Sequence, residues 1–283
     1  MSDSKQASEV VFKDVGKMAV FKKTHTVILK NCSFTVESGK LTVLIGPSGC
    51  GKTTIINLIA GYERPDIGEV QIDGKRIIGP NWERLVVFQE TALFPWLTCY
   101  ENIMFGPLAR QVMSKEEAHQ ETLNLLVKVG LEDFRDKYPS QLSGGMQRRA
   151  ELARALINQP KVMLMDEPFR GLDAMTRQLM QEYYLNLFEE TNASHVFVTS
   201  EVDEAIILAD NLLVMTNKPS KIKKIIEIDL PRPRNWNMVT SKRYLEIKAE
   251  ALELLHEEAI KASTASGKVD VDLSGLLETT RAD

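Results

Sequence analysis

The chain has 283 residues, 43% of them hydrophobic, which is enough for a large core and for one α/β domain with an inserted or appended subdomain. Its 35 basic and 39 acidic residues give a formal charge of −4, so no basic footprint indicates a nucleic-acid partner. Three scattered cysteines favour a reducing cytoplasm, and we expect neither a secretory leader nor a spanning segment, so any membrane would be crossed by other subunits.

The first segment with a clear pattern is 9–37, where short apolar runs alternate with polar residues. The runs are Val10–Phe12, Val27–Leu29 and Cys32–Val36. Short runs of this kind are typical of antiparallel strands with one covered face. We therefore expect a small antiparallel sheet beside the domain core.

A glycine-rich loop, GPSGCGKT, follows the apolar strand-like run Leu41–Ile45 and precedes a helix-like segment that starts at Thr54. Its glycines let backbone N–H groups turn toward phosphate oxygens, and the helix start adds its positive dipole end. Lys52 is expected to reach the β and γ phosphates of a nucleotide, and the Thr53 hydroxyl to join a magnesium shell. Nucleotide contacts are predicted for Gly46, Pro47, Ser48, Gly49, Cys50, Gly51, Lys52, Thr53 and Thr54.

A second acidic motif follows another apolar run, Val162–Met165. It places Asp166 and Glu167 at the carboxyl end of a predicted parallel strand, where ligand contacts collect. Asp166 is expected to bind magnesium through water, and Glu167 to polarise the water that attacks the γ phosphate.

Between these motifs lies Leu142-Ser-Gly-Gly-Met-Gln147, about twenty residues before the acidic pair. The three motifs, in this order and spacing, resemble those of ABC-type ATPases over residues 9–235. The resemblance implies an α/β fold: an ABC-type P-loop ATPase core with an antiparallel β subdomain and a helical subdomain inserted near 91–158. It also implies ATP and Mg²⁺ as cofactors.

The glycine-rich motif at 143–145 precedes a predicted helix, Met146–Ile157, so its amides and hydroxyl offer an anion site at a helix N-terminus. The resemblance implies that two such ATPases pack head to tail, each signature closing on the γ phosphate held by the partner's phosphate loop. The residues predicted to bind that nucleotide are Ser143, Gly144, Gly145 and Gln147.

Two further positions take their roles from the resemblance. Gln89 ends the strand-like run 85–89, where the family places a glutamine that ligates magnesium and reports the nucleotide state to the membrane partner. Phe21 is the aromatic residue best placed to stack on adenine. The alternative for Phe21 is a core position in a β-hairpin.

Aromatic residues follow Gln89 closely, at Phe94 and Trp96 on either side of Pro95. Two interpretations stay open. They form part of the helical subdomain core, or they line a groove that accepts a coupling helix from a transmembrane subunit, which requires exposed aromatic surface here.

The chain departs from the family pattern at two positions. The switch histidine, which contacts the γ phosphate and helps align water with Glu167, corresponds to Ser200, whose hydroxyl is shorter and uncharged. Arg170 stands where a small residue is usual in a loop that crosses the dimer interface. We hypothesise that the chain's own catalytic site, formed by Glu167, Gln89 and Ser200, is slow or dead. Its signature would still complete a competent site on a histidine-bearing ATPase in a heterodimer. A homodimer with a serine-tolerant mechanism is the alternative.

The C-terminal part resembles importers for nitrate, bicarbonate, sulfonates and taurine in segments 208–219 and 226–234. After it we expect a helical extension at 236–262 and a polar, flexible tail at 263–283. The extension's helix is predicted to pack on the core through one apolar stripe. The stripe consists of Leu245, Ala249, Leu252, Leu255 and Ala259.

The whole pattern predicts a peripheral ATPase at the cytoplasmic face of the membrane, driving uptake through transmembrane permease subunits and, indirectly, a solute-binding protein. The solute is expected to be a small anion or sulfonate, with uptake of a vitamin precursor left open. One competitor is a soluble repair or translation ATPase, which usually carries paired domains or coiled-coil insertions that this chain lacks. The other is a non-hydrolytic, ATP-gated regulatory or scaffold subunit, which Ser200 keeps open.

Overall fold

A computed structural model describes residues 7–21 and 24–265, in which ten strands and seven α-helices can be followed. The strands are β1 (Val10–Phe21), β2 (Thr24–Val36), β3 (Leu41–Ile45), β4 (Ile67–Ile72), β5 (Lys75–Arg76), β6 (Arg84–Val87), β7 (Val162–Asp166), β8 (Ser194–Val198), β9 (Asn211–Met215) and β10 (Ile222–Glu227). The α-helices are α1 (Lys52–Ala60), α2 (Cys99–Arg110), α3 (Lys115–Lys128), α4 (Gly144–Leu156), α5 (Ala174–Glu190), α6 (Val202–Leu208) and α7 (Lys242–Ala265), and short 3-10 helices lie at Glu132–Phe134, Pro139–Gln141 and Trp236–Thr240.

The central sheet has the strand order β10-β9-β3-β8-β7-β6. All neighbours in it run parallel except β10, which is antiparallel to β9. Strands β3 and β8 are buried along their whole length, and most of their residues are apolar, as is usual for strands covered on both faces. This arrangement brings the ends of β3 and β7, and the loops that follow them, to one edge of the sheet.

The antiparallel sheet has the order β2-β1-β4-β5. It packs with α1 onto one face of the central sheet, in a core that includes Phe12, Phe34, Ile55 and Leu164. The expected antiparallel strands near the N-terminus are thus present, although the three short runs belong to two long, paired strands. Helices α5, α6 and α7 cover the other face.

Helices α2, α3 and α4 share a separate core, in which Ile103, Leu126 and Ala150 are fully buried. Two of these helices begin with capping boxes, in which Thr98 and Ser114 each accept a hydrogen bond from the N–H of the third helical residue. These helices lie between β6 and β7 in the chain, so the segment that contains them leaves the central sheet after β6 and returns to it at β7.

Helix α7 is present, but the apolar stripe predicted for it is wrong. Leu245 and Leu252 are about half exposed, whereas Tyr244, Ile247 and Ala251 are buried. Both faces of this helix carry apolar residues, so the sequence alone does not decide which face is buried. The surface that α7 packs against decides it, and there the Tyr244 hydroxyl donates to Asp203 of α6 at 2.5 Å. The helix runs to Ala265, past the end expected at 262, and residues 266–283 of the predicted tail lie outside the described residues.

Candidate functional site

The phosphate loop links β3 to α1, and its conformation depends on glycine. Gly51 has φ +108°, and a Cβ there would lie 2.7 Å from Ile28 Cγ2, so only glycine fits the start of α1. A Cβ at Gly46 would lie 2.9 Å from Cys50 Sγ and from Met215 Cβ. The loop is therefore packed against Ile28 and Met215, and the cavity described below opens beside it.

Lys52 is the first residue of α1, two positions earlier than the predicted helix start, and its side chain folds over the loop. Its Nζ donates to the carbonyl oxygens of Gly46, at 3.0 Å, and Pro47, at 3.4 Å. Lys52 as a whole residue is 7% exposed. It is thus held at the mouth of the loop, where phosphate oxygens can replace the carbonyl oxygens as its acceptors.

A cavity of about 280 Å³ opens beside the loop and brings the two predicted motifs together. Of the predicted residues, it is lined by Ser48, Gly49, Gly51, Lys52, Thr53, Thr54, Gln89, Asp166 and Glu167. Arg170, Lys218 and Ile28 complete its wall. The phosphate loop and the acidic pair, more than one hundred residues apart in sequence, therefore form one cleft.

The residues proposed for magnesium fit that ion by their chemistry. Thr53 Oγ1 donates to Asp166 Oδ1 at 3.3 Å, and Gln89 lines the same cavity, so a hydroxyl, a carboxylate and an amide oxygen converge. Oxygen donors of these kinds, completed by phosphate and water, suit Mg²⁺. Burial raises the pKa of Asp166 despite the Thr53 hydrogen bond, which lowers it. A bound cation favours the ionised carboxylate and so opposes the effect of burial.

Gln89 was expected at the end of a strand, but β6 ends at Val87 and Gln89 lies in the loop after it. The loop is held instead by Arg148 of α4, whose guanidinium donates to the carbonyl oxygens of Phe88, at 2.8 Å, and Gln89, at 2.6 Å. The position of Gln89 is therefore set by the helix that carries the signature.

Glu167 follows β7 in a left-handed conformation, with φ +45°, which is rare for a residue with a side chain. Its N–H donates to the Val198 carbonyl at 2.9 Å, which fixes the backbone against β8. Its Oε2 accepts a hydrogen bond from Arg170 Nη1 at 2.9 Å. One oxygen of the predicted catalytic carboxylate is thus already engaged by a cation.

Ser200 follows β8 and is exposed. It does not line the cavity, and no hydrogen bond joins it to Glu167 within 7–21 and 24–265. Neither does His195 take the place of a switch histidine. It is buried in β8, where its Nδ1 lies 2.6 Å from the Tyr184 hydroxyl and its Nε2 lies 3.2 Å from Thr191 Oγ1.

The signature lies away from the cavity, at the start of α4, and its helix begins two residues earlier than predicted. Ser143 is the N-cap, whose Oγ accepts from the Met146 N–H at 3.3 Å, and the two glycines form the first turn. A Cβ at Gly145 would lie 3.0 Å from Thr176 Cγ2, so glycine permits close packing on α5. None of the residues 143–147 lines the cavity beside the phosphate loop.

Gln147 has a different arrangement from the one a nucleotide contact requires. Its Nε2 donates to the carbonyls of Pro139, at 2.9 Å, and Leu142, at 3.1 Å, and its Oε1 accepts from Thr91 at 3.1 Å. The side chain therefore joins the signature to the loop that carries Gln89, and its nucleotide contact stays a prediction.

Cys50 and Phe21 are two further residues with predicted nucleotide contacts. The Cys50 side chain is buried against Met215, and burial raises its pKa, so only the Cys50 backbone can serve a phosphate. Phe21 ends β1, but its side chain lies outside the described residues, and its contact with adenine stays a prediction.

The sequence patterns did not reveal the ion pair that joins α4 to the loop after β6. Arg148 Nη1 lies 2.5 Å from Glu151 Oε2, both side chains are almost completely buried, and Glu151 Oε1 accepts from the Ala92 N–H at 3.0 Å. Burial lowers the pKa of Arg148 and raises that of Glu151. The spacing of three residues within a predicted helix could have indicated the pairing of Arg148 with Glu151. Nothing in the sequence indicated which loop the pair contacts.

A second cavity, of about 410 Å³, lies beyond that loop, between β6, α2 and α4. Phe94 is half-buried on its wall, with its ring 4.8 Å from that of Phe105 and 5.6 Å from that of Trp96. Trp96 is 70% exposed and Phe105 47%. The groove interpretation of this segment requires exposed aromatic surface, and that surface is present. We call this surface, with Trp82 and Arg154, the aromatic groove.

Comparisons with known proteins agree on one family. A family model described as "ABC transporter" matches residues 29–170. The chain is 43% identical over 234 residues to an aliphatic sulfonates import ATP-binding protein of Bacillus cereus, covering 82% of this chain and 90% of that one. It is 41% identical over 239 residues to a nitrate transport protein of Klebsiella oxytoca, covering 83% and 91%.

A solved structure gives the same fold. It is a dimeric ATP-binding cassette in a post-hydrolysis state with ADP and Pi bound. The match has a TM-score of 0.66 at 29% identity and covers 78% of this chain and 100% of the other. Within the residues described, no helix has the length and apolar character needed to cross a membrane. The chain belongs to the ABC transporter family and is one of its ATP-binding, ATPase subunits.

Proposed function

We propose that this subunit drives the import of a small anion or sulfonate through separate transmembrane permease subunits. The observation that carries the proposal is a single short loop that joins the two cavities. Gln89 lines the nucleotide cleft, and Phe94, five residues later, lines the aromatic groove. A change at the nucleotide can therefore reach a docked partner helix through one connected segment.

In the proposed mechanism, Lys52 and the loop amides bind the β and γ phosphates of ATP, and Phe21 stacks on adenine. Thr53, Gln89 and Asp166 would hold magnesium, which would supply charge neutralisation on the phosphates. Glu167 positions the attacking water and accepts its proton.

The Arg148 contacts support the coupling step. Because its guanidinium holds two carbonyls of the Gln89 loop, a rotation of α4 with its neighbouring helices moves that loop. We propose that nucleotide binding and hydrolysis use this connection to shift the aromatic groove and the permease helix within it.

We also propose a head-to-tail dimer of ATPase subunits. Residues 143–145 do not line the chain's own cleft, which supports their use for a γ phosphate bound by a partner. The solved cassette named above is a dimer, which is consistent with this assembly.

The chain's own site is proposed to turn over slowly. No hydrogen bond joins Ser200 to Glu167 in the part of the chain that the structure describes, and Arg170 donates to the Glu167 carboxylate. A heterodimer with a histidine-bearing ATPase, in which this chain's signature completes the faster site, is the proposed assembly. A homodimer is its alternative.

A non-hydrolytic, ATP-gated regulatory subunit is the second candidate, and the Arg170–Glu167 ion pair is the observation that favours it. The two candidates differ in one measurable property. A slow ATPase releases phosphate in a single-turnover experiment and loses that release in a Glu167→Gln variant, whereas a regulatory subunit shows the same absence of release in both.

The solute proposal comes from the relatives, because an ATP-binding subunit of this kind contacts permeases and not cargo. Relatives named for aliphatic sulfonates and for nitrate favour an oxyanion, with bicarbonate and taurine in the same class. A solute-binding protein would then take part indirectly, and the subunit would lie at the cytoplasmic face of the membrane.

The experiment that tests the proposal is purification of the full chain from detergent-solubilised membranes, with identification of the proteins that accompany it. The proposal predicts a multi-spanning membrane protein, with or without a second ATPase. Recovery with nucleic acid or ribosomes, and without a membrane subunit, would contradict it. A Lys52→Ala variant is the matched control, because its weakened nucleotide site should leave the aromatic groove unchanged.

A further inference from the structure

The turn between β9 and β10 lies directly against the phosphate loop. Ser220 Oγ donates to the Cys50 carbonyl oxygen, which is part of that loop. The Ser220 N–H donates to the Ile28 carbonyl at 2.7 Å, and the Ser220 carbonyl accepts from the Lys30 N–H at 3.0 Å. The turn is thus fixed to both the loop and β2.

Helix α7 holds the same turn from the other side. Glu258 is almost completely buried, and its Oε2 accepts from the Asn217 N–H at 3.0 Å, while the Glu258 carbonyl accepts from Asn217 Nδ2. Lys223 Nζ, 3.0 Å from Glu258 Oε1, and Lys261 Nζ, at 2.9 Å, neutralise the carboxylate. The residue after Asn217 is therefore presented by a firmly held backbone.

That residue is Lys218, which lines the nucleotide cleft together with Ser48 and Gly49. Its Nζ lies 4.0 Å from the position of a Cβ built on Gly49. The side chain is exposed and forms no hydrogen bond or ion pair with any residue in 7–21 or 24–265. An ammonium group that lies over a phosphate loop and has no carboxylate partner among the described residues can form a charged hydrogen bond with a bound polyphosphate.

The charge balance of the cleft agrees with this role. Its other cations are Lys52, which belongs to the phosphate loop itself, and Arg170, whose guanidinium is paired with Glu167. Lys52 and Lys218 both act on the Cys50 thiol, whose pKa is raised by burial and lowered by their charges. Lys218 is thus the free cation among those lining the described cleft.

We propose that Lys218 is a further nucleotide-binding residue, contacting the phosphate chain of ATP from the β9–β10 turn, and that Glu258 of α7 is its positioning residue. The proposal rests on nucleotide binding in this cleft. It adds a contact from outside the phosphate loop and makes nucleotide affinity depend on the C-terminal helix.

The test measures binding of a fluorescent ATP analogue, and its displacement by ATP and by AMP, with the full chain and with its variants. Lys218→Ala should weaken ATP binding about tenfold, in the range expected for loss of a charged hydrogen bond at an accessible site. AMP should be affected less than twofold if the contact is to the β or γ phosphate. Lys218→Arg should restore ATP affinity to near the original value.

Lys221→Ala is the matched control, because Lys221 lies in the same turn and bonds to it through its backbone. Its N–H donates to Thr216 Oγ1, and its carbonyl oxygen accepts from the Thr216 N–H. This variant should leave both affinities unchanged. Equal ATP affinity in the original chain and in Lys218→Ala, while Lys52→Ala abolishes binding, would overturn the role of Lys218 and leave the nucleotide site intact. Loss of binding in none of these variants would count against the cleft itself.

The role of Glu258 is tested by combining substitutions. Glu258→Gln should weaken ATP binding in the original chain and have no further effect in Lys218→Ala, because its influence passes through Lys218. The apparent melting temperature without nucleotide reports any purely structural loss. Equal effects of Glu258→Gln in both backgrounds would show that Glu258 does not act through Lys218.

Discussion

Arg170 donates a hydrogen bond from Nη1 to Glu167 Oε2 at 2.9 Å, across a single turn after β7. Arg170 is largely exposed and Glu167 largely buried, so the mobile partner is the arginine. An ion pair in this position occupies an oxygen of the carboxylate that would accept a proton from water. We infer that Arg170 must release Glu167 before the site can turn over.

The first prediction concerns Arg170→Ala. Freeing Glu167 should raise the rate of ATP hydrolysis about twofold to fivefold, since an exposed ion pair contributes about 0.2–1 kcal/mol. Arg170→Lys keeps the charge and should give a smaller change. Phosphate release is measured at saturating ATP. A lower rate in Arg170→Ala would show that the arginine assists hydrolysis instead of restraining it.

The second prediction concerns the buried pair between α4 and the Gln89 loop. Arg148→Met removes the nearest cation of the buried Glu151 carboxylate, which keeps only Arg154, with Nη2 at 3.9 Å from Glu151 Oε1. The change should lower the free energy of unfolding by about 3–5 kcal/mol. Replacing both residues, Arg148→Met with Glu151→Leu, should recover part of that loss. Chemical denaturation followed by circular dichroism measures both values. A loss below about 1 kcal/mol in the single variant would contradict the role assigned to the pair.

The third prediction follows from His195, whose pKa is lowered by burial to about 3. His195 in the unfolded chain takes up a proton near pH 6.5, whereas in the folded chain it does not. Its protonation therefore costs no folding free energy above pH 6.5 and increasingly favours the unfolded chain as the pH falls. Between pH 6 and pH 5 this residue should remove up to about 1.4 kcal/mol per pH unit. His195→Asn should flatten the denaturation profile in that interval. An unchanged slope would show that His195 is protonated in the folded chain.

The fourth prediction concerns the aromatic groove. Trp96→Ser should change stability by about 0.5 kcal/mol or less, because the side chain is 70% exposed. It should weaken binding of the membrane subunit by at least about tenfold, as loss of a central aromatic anchor does. Nucleotide affinity should not change. Leu245→Ser on α7, also about half exposed, is the control. Equal loss of partner binding in both variants would contradict a specific groove.

Much of the fold and cleft could be predicted from the sequence because the signals were local. Strand β3, the phosphate loop and α1 follow one another without interruption, and each has its own pattern. The strand before Asp166 was equally clear. Their convergence in one cleft follows from the parallel sheet, which brings the carboxyl ends of β3 and β7 to the same edge.

The remainder depended on tertiary partners. Helix α7 has two apolar stripes, and its sequence does not show which of them is buried. The contact of Tyr244 with Asp203 on another helix decides this. The hydrogen bonds that turn Gln147 inward come from carbonyls of a neighbouring turn and from Thr91, which no sequence pattern associates with it. Likewise, nothing local to Arg170 indicated that its guanidinium would bind Glu167.

The most direct measurement of the central claim is the rate of ATP hydrolysis in the assembled membrane complex after the partner ATPase site has been disabled. The original subunit is compared with Ser200→His, with Glu167→Gln as the inactive control. A slow site limited by Ser200 predicts a gain of about tenfold or more, because the histidine restores a positioning group for water and the γ phosphate. No gain over the original subunit, in a complex where Glu167→Gln abolishes the remaining rate, would contradict the account.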